Sequence, residues 1–243
     1  MNMELYIRSI VLNRNKIEDN EEYPFCLPVI RQLDKLELKS RVTFLVGENG
    51  TGKSTLLEAI AINYGFNPEG GSRNFHFSTC QSNSTLHEHI TLVKGVKKPR
   101  DGYFLRAESF YNVATEIDRI GEGLQNSYGG TSLHGQSHGE SFMSLALNRF
   151  YGNGIYILDE PEAALSPARQ LALLLRLDEL VKKDSQFLIA THSPILLAFP
   201  GADIYVLDNG SITSTPYMKT EHYILTKQFL NNPERMLKEL LEG

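Results

Sequence analysis

Gly47-Glu48-Asn49-Gly50-Thr51-Gly52-Lys53-Ser54 decides the fold of this 243-residue chain. The stretch fits G-x-x-x-x-G-K-[ST] in full, with an apolar run at Val42–Val46 leading in and a helical pattern at Ser54–Ile62 leading out. Gly47, Gly50 and Gly52 let the backbone curl so that successive N–H groups point inward at phosphate oxygens. The start of the helix adds its partial positive charge. Glu48, Asn49 and Thr51 complete the loop, Lys53 reaches the β- and γ-phosphates, and Ser54 offers a hydroxyl to Mg²⁺; Thr55 follows in the same cradle. A glycine-rich turn before a helix is the bland alternative, and the flanking strand and helix favour the phosphate site.

Two further runs complete such a centre. Ile155-Tyr156-Ile157-Leu158 ends in Asp159-Glu160, an apolar strand closing on two carboxylates, and this strand is expected beside the first. Asp159 is an oxygen ligand suited to Mg²⁺. Glu160 is placed to orient or deprotonate a water attacking the γ-phosphate. Phe187–Ala190 is the third apolar strand and runs into Thr191-His192-Ser193-Pro194. Ligands of open α/β sheets collect at the carboxyl ends of strands. The distance from Asp159 holds one helix and one strand, so His192 is expected next to the carboxylates, in contact with the γ-phosphate.

The rest of the chain agrees with an α/β protein built on a mostly parallel sheet. Continuous apolar runs read as strands covered on both faces. Glu4–Leu12 and Asp203–Leu207 read as further strands, the second ending at Asp208-Asn209-Gly210, a hairpin signal. Helices are expected at Phe110–Ile120, Glu140–Phe150, Ala168–Lys183 and Pro233–Leu241, the third of these after Ser166-Pro167, an N-cap with proline at the first helical position. Leu171, Leu174, Leu175 and Leu177 read as its core-facing stripe. A glycine-rich loop lies between Gly121 and Gly139. One domain is expected over 1–243, with a core of 1–65 and 153–243 and an insert over about 66–152.

Composition removes other classes. Lys and Arg number 24 against 29 Asp and Glu, a formal net charge of −5, which argues against coating nucleic acid by bulk charge. No apolar run approaches the roughly 20 residues of a membrane span, so no membrane insertion of this chain is expected. Cys26 and Cys80 are the only cysteines, too few for a disulfide framework or a four-Cys zinc site, and a reducing, cytoplasmic setting is expected. His87-Glu88-His89 lacks the i, i+4 spacing of a helical zinc site, and Lys94, Lys97, Lys98 and Arg100 read as a solvated face, with Arg106 keeping nucleic-acid contact open.

In this order, these pieces resemble the ATP-binding cassette (ABC) ATPases. The deciding element is Ser137-His138-Gly139-Glu140-Ser141, similar to the family's L-S-G-G-Q signature, with Ser137 and Gly139 matching and with His138 and Glu140 departing from it. Ala164-Leu165-Ser166-Pro167 is similar to the D-loop, with Ser166 at the usual aspartate position. The resemblance implies a P-loop NTPase with an N-terminal antiparallel β part and an inserted, signature-bearing helical subdomain. It implies ATP and Mg²⁺ as ligands, and Ser137, Gly139 and Glu140 near the γ-phosphate of ATP held by a second copy. A Q-loop ligand to the metal is Gln81 or Glu108, with Glu108 in the more family-like position. The adenine-stacking aromatic has no firm match, Tyr23 and Phe25 being the candidates.

The segments Tyr103–Phe110 and Glu162–Pro167 resemble a soluble, stand-alone branch on the SMC-like and RecF-like side of the family. The separation of Gln81 and Ser137 is too short for a long coiled-coil arm. The expected function is Mg²⁺-dependent ATP hydrolysis driving the opening and closing of a homodimer in DNA maintenance or defence, with nucleic acid or another protein as partner. The alternatives are the ATP-binding subunit of a transporter and a nucleotide-gated module with negligible turnover.

Overall fold

A computed structural model describes residues 4–72, 84–106, 138–208 and 210–242. Gln81, Glu108, Ser137 and the helix expected over Phe110–Ile120 lie outside the described residues.

Strand β1 (Ile7–Leu12) forms an antiparallel three-stranded sheet between β2 (Lys35–Glu37) and β5 (Ile90–Lys94). The second sheet has seven strands: β3 (Val42–Val46), β4 (Gly71–Ser72), β6 (Asp101–Leu105), β7 (Gly154–Asp159), β8 (Gln186–Ala190), β9 (Asp203–Asp208) and β10 (Ser211–Ser214). Their order is β10-β9-β3-β8-β7-β6-β4. The five inner strands are parallel, and β10 and β4 close the edges in antiparallel pairing. Every residue of β3, β7 and β8 is buried, as strands covered on both faces require. Asp208 pairs with Ser211, and Gly210 takes φ 82° in the turn between them.

The helices are α1 (Pro28–Gln32), α2 (Lys53–Tyr64), α3 (Leu86–His89), α4 (His138–Asn148), α5 (Pro167–Lys182), α6 (Glu221–Asn231) and α7 (Pro233–Glu242). Helix α2 is apolar nearly all round because it lies between the two sheets. Leu56, Leu57, Ala59 and Ile60 pack with Ile7 and Ile10 of one sheet and with Leu45, Ile157 and Leu188 of the other. The opposite face of the large sheet is covered by α4 and α5, through Phe142, Leu145, Leu173, Leu177 and Leu180 against Phe44, Tyr156, Phe187 and Ile189.

The two sheets are also joined by a buried amide. Gln186 in the central strand β8 accepts from the backbone N–H groups of Tyr6 (2.8 Å) and Ile7 (2.9 Å) and donates to Ile7 O (2.9 Å). A buried polar side chain in a core strand is tolerated because its bonds are made.

Three expectations require correction. β7 is not beside β3: β8 lies between them and pairs with both. The stretch 66–152 is not an insertion throughout, because β5 completes the small sheet and β6 pairs with β7 in the large one. The buried stripe of α5 is Leu173, Leu177 and Leu180, whereas Leu171 and Leu175 are 55% and 70% exposed. The latter two lie on the helix face turned away from the sheet, where no sheet residue can cover them.

Candidate functional site

The loop between β3 and α2 sits at the carboxyl end of the parallel strands. Gly52 caps α2 with φ 98°, a conformation that costs a side-chain-bearing residue energy. Gly47 answers a different need: a Cβ there would meet the carbonyl oxygen of Leu207 at 2.3 Å, so β9 packs against the loop only if this residue is glycine. Lys53 is buried, and its Nζ donates to Gly47 O (2.7 Å) and Glu48 O (2.9 Å), which holds the ammonium at the inner curve of the loop. Burial lowers its pKa, opposed by the carboxylates of Glu160 and Asp159. Thr51 closes the turn by donating to Glu48 O, and Thr55 lies 3.0 Å from the Tyr23 hydroxyl.

Ser54 and Asp159 are brought together across the sheet: Ser54 Oγ donates to Asp159 Oδ1 at 3.1 Å. Asp159 is buried, and burial raises its pKa to about 6, the Ser54 bond pulling the other way. The buried carboxylate and the exposed Ser54 hydroxyl are two hard oxygen donors, the set a Mg²⁺ ion accepts, and a cation there would offset the cost of burying the Asp159 charge.

Glu160 follows at φ 46°, ψ 55°, a left-handed backbone that costs a non-glycine residue about 1–3 kcal/mol. Its N–H donates to Ala190 O at 2.9 Å, so the strained residue is tied to β8. Its carboxylate Oε1 lies 3.6 Å from His192 Nε2. That nitrogen is buried and has no hydrogen-bond partner among the described residues. Such an orphaned polar atom in an otherwise bonded site fits contact with a ligand oxygen. As expected from the sequence, β8 places His192 next to Asp159 and Glu160. Glu48, Asn49, Glu160 and His192 line one open cleft of about 560 Å³, whose remaining wall is Glu221, His222 and Leu225 of α6.

Residues that motif reading missed complete this corner. Glu162, on the 3-10 turn Pro161–Ala164, accepts the His192 backbone N–H at 2.6 Å and so fixes the loop after β8. Burial raises its carboxyl pKa. Its place two residues beyond Asp159-Glu160 was the available signal. His222 Nε2 lies 3.2 Å from His192 Nδ1; α6 carries no motif and gave no signal.

Gly139 and Glu140 lie in the first turn of α4 and do not line the cleft. Gly139 is buried against the turn after β7, where a Cβ would meet Ala164 O at 2.4 Å and Arg169 Nη1 at 2.7 Å. Glu140 is exposed and pairs with Arg169 at 3.1 Å. Ser166 acts as the N-cap of α5, accepting from Arg169 N. The start of α4 is thereby packed on the segment that follows Asp159-Glu160. Of the two aromatic candidates, Tyr23 is exposed beside Thr55, whereas Phe25 is buried edge-on against His89. His87 and His89 are bonded locally to Ser84 O and Thr85 O, and no group of three metal-ligating side chains occurs among the described residues. Lys97 pairs with Glu4, Arg106 pairs with Glu58, and Lys94 lies over the Tyr64 ring, which blunts the basic run.

A family model described as an AAA domain matches residues 25–154, more than half of the chain. A second AAA-domain model, whose description adds the AbiEii toxin and type IV toxin–antitoxin systems, matches residues 131–198. Among curated proteins, the chain is 25% identical over 211 residues to the energy-coupling factor transporter ATP-binding protein EcfA2 of Methanospirillum hungatei, covering 79% of this chain and 52% of that protein. It is 27% identical over 231 residues to the thiamine import ATP-binding protein ThiQ of Haemophilus influenzae, covering 86% and 97%. The chain thus spans about half the length of the first relative and nearly all of the second. Among solved structures, the SMC head domain from Thermotoga maritima aligns at TM-score 0.43 and 16% identity, covering 87% of this chain and 100% of that one.

Proposed function

Taking as premise that the chain belongs to the AAA domain family and is an ATPase of the ABC type, we propose that it binds Mg²⁺–ATP in the cleft over β3, β7 and β8 and couples hydrolysis to the joining and parting of two copies. One observation carries this reading. A hydroxyl–carboxylate pair of exposed Ser54 and buried Asp159, a buried lysine and the Glu160–His192 pair converge at the ends of three parallel strands.

The division of labour follows from chemistry. Loop amides from Gly47 to Ser54 and the Lys53 ammonium hold the triphosphate. Ser54 and Asp159 would hold Mg²⁺, which when bound would neutralise phosphate charge. Glu160 takes a proton from water as its oxygen bonds to the γ-phosphorus; the bond from that phosphorus to the bridging oxygen breaks, leaving ADP and phosphate. His192 donates to a γ-phosphate oxygen, where charge shifts during transfer. Glu108 or Gln81 would supply a further ligand, and Ser137 with the backbone N–H groups of Gly139 and Glu140 from a second copy would complete the anion site.

For the process served, we favour DNA maintenance or defence, acting in the cytoplasm with nucleic acid or a protein as partner. The toxin–antitoxin wording of the second family model supports defence. The likeness to transporter and import ATP-binding proteins favours a second reading, the energy-coupling subunit of a transporter whose membrane part is another chain. No helix among the described residues is long and apolar enough to cross a membrane itself. Phosphate release measured with and without DNA separates the readings. Stimulation supports DNA maintenance, unstimulated turnover turns the choice to transport or a protein partner, and no turnover points to a nucleotide-gated module. Co-purification from the native host then identifies the partner.

A further inference from the structure

Helix α6 carries none of the motifs, yet its first turn forms a wall of the cleft. Thr220 caps it by accepting from Tyr223 N and is itself buried, so the turn is held firmly. From it His222 reaches His192, with Nε2 at 3.2 Å from Nδ1 and the ring planes tilted by 45°.

We propose that His222 is a positioning residue of the hydrolytic centre: its Nε2–H donates to His192 Nδ1 and so holds His192 as the Nε2–H tautomer, aimed at Glu160 and the γ-phosphate. This rests on the reading of the cleft as an ATP-hydrolysing site.

The direction of the bond follows from the partners. Burial pushes both imidazoles below their ordinary pKa, so at neutral pH each ring carries one proton. Two neutral rings joined nitrogen to nitrogen need one donor and one acceptor. His192 Nε2 faces Glu160 Oε1 at 3.6 Å, and an ionised carboxylate only accepts. The His192 proton therefore belongs on Nε2, which leaves Nδ1 as the acceptor and His222 as the donor. The opposite tautomer would turn a lone pair toward carboxylate and phosphate oxygens. The backbone of His192 is already fixed by Glu162 through its N–H, so what remains to be set is the ring. A partner on the far nitrogen sets both ring orientation and tautomer.

The first test needs no turnover: ¹⁵N NMR of the imidazoles in nucleotide-free wild-type protein at neutral pH. The expected spectrum has His192 protonated on Nε2 and bare on Nδ1, with His222 protonated on Nε2. A proton on His192 Nδ1 overturns the proposal. In turnover, His222→Ala should lower kcat about tenfold or more, as loss of a partner that orients a functional histidine does. ATP affinity by calorimetry should stay within about twofold, since a positioning role acts on the transition state. His222→Gln, whose amide N–H can donate, should recover most of the rate. An unchanged kcat in the alanine variant, or equal losses in both variants, also overturns it. A wild-type protein that fails to hydrolyse ATP sinks the reading of the cleft, and the NMR result then decides on His222 alone.

Discussion

The hydroxyl of Ser54 lies 3.1 Å from the Asp159 carboxylate although the strands that lead to them, β3 and β7, are separated by β8. The first turn of α2 bridges that gap, because the helix starts directly above the sheet and leans across β8. Two residues far apart in the chain thereby become one oxygen site, beside the lysine that precedes Ser54. The arrangement has measurable consequences.

Lys53→Ala should abolish ATP binding or nearly so, because the triphosphate loses its closest cation, a buried ammonium at the base of the loop. Calorimetry checks this. Micromolar affinity retained in the variant would remove the phosphate-loop assignment.

Asp159 makes stability depend on pH. Its folded pKa of about 6 lies above its ordinary value, through burial. The protonated form suits the fold, so this contribution is fully present below the unfolded pKa and is lost as pH rises through about 6. Without Mg²⁺, Asp159→Asn should therefore be more stable than wild type once pH is well above 6, by about 3 kcal/mol, and the two should converge below about pH 4. Urea midpoints across this range give the comparison; parallel curves would contradict it.

Gln186→Leu should destabilise the fold by about 3 kcal/mol or more, since it strands the buried N–H of Tyr6 and the N–H and carbonyl of Ile7 at the start of β1. A urea midpoint unchanged from wild type would mean that β1 finds other partners and that this amide does not join the sheets.

The sandwiched dimer has its own signature. Glu160→Gln with Mg²⁺–ATP should run as a dimer in light scattering and as a monomer with ADP, the γ-phosphate being the bridge. Adding Ser137→Arg should dissolve the dimer and spare ATP binding. A dimer indifferent to nucleotide would argue against the ABC-type cycle.

Much of this architecture is legible in the chain because three core strands are apolar runs, broken only by Thr43, and each leads into residues with chemistry: Val46 into the loop, Leu158 into Asp159-Glu160, Ala190 into Thr191-His192. Local patterns of this kind carry their own meaning. Strand order does not, since nothing in Phe187–Ala190 says that it inserts between the other two. Gln186 reads as a polar interruption until β1 is seen to take its hydrogen bonds. Leu171 and Leu175 have the same character as Leu173 and Leu177, and only the position of the sheet distinguishes them. His222 reaches His192 from a helix without motif, so its role emerges from tertiary contact alone, whereas the place of Glu162 just beyond Asp159-Glu160 hinted at the site without naming its partner.

The central claim is hydrolysis at the Asp159–Glu160–His192 corner, and phosphate release from Mg²⁺–ATP by wild type and by Glu160→Gln tests it most directly. With ATP binding matched by calorimetry, the glutamine variant should be slower by about 10² or more, as loss of a water-activating base requires. Equal turnover in the two proteins, or none in wild type, would contradict the account.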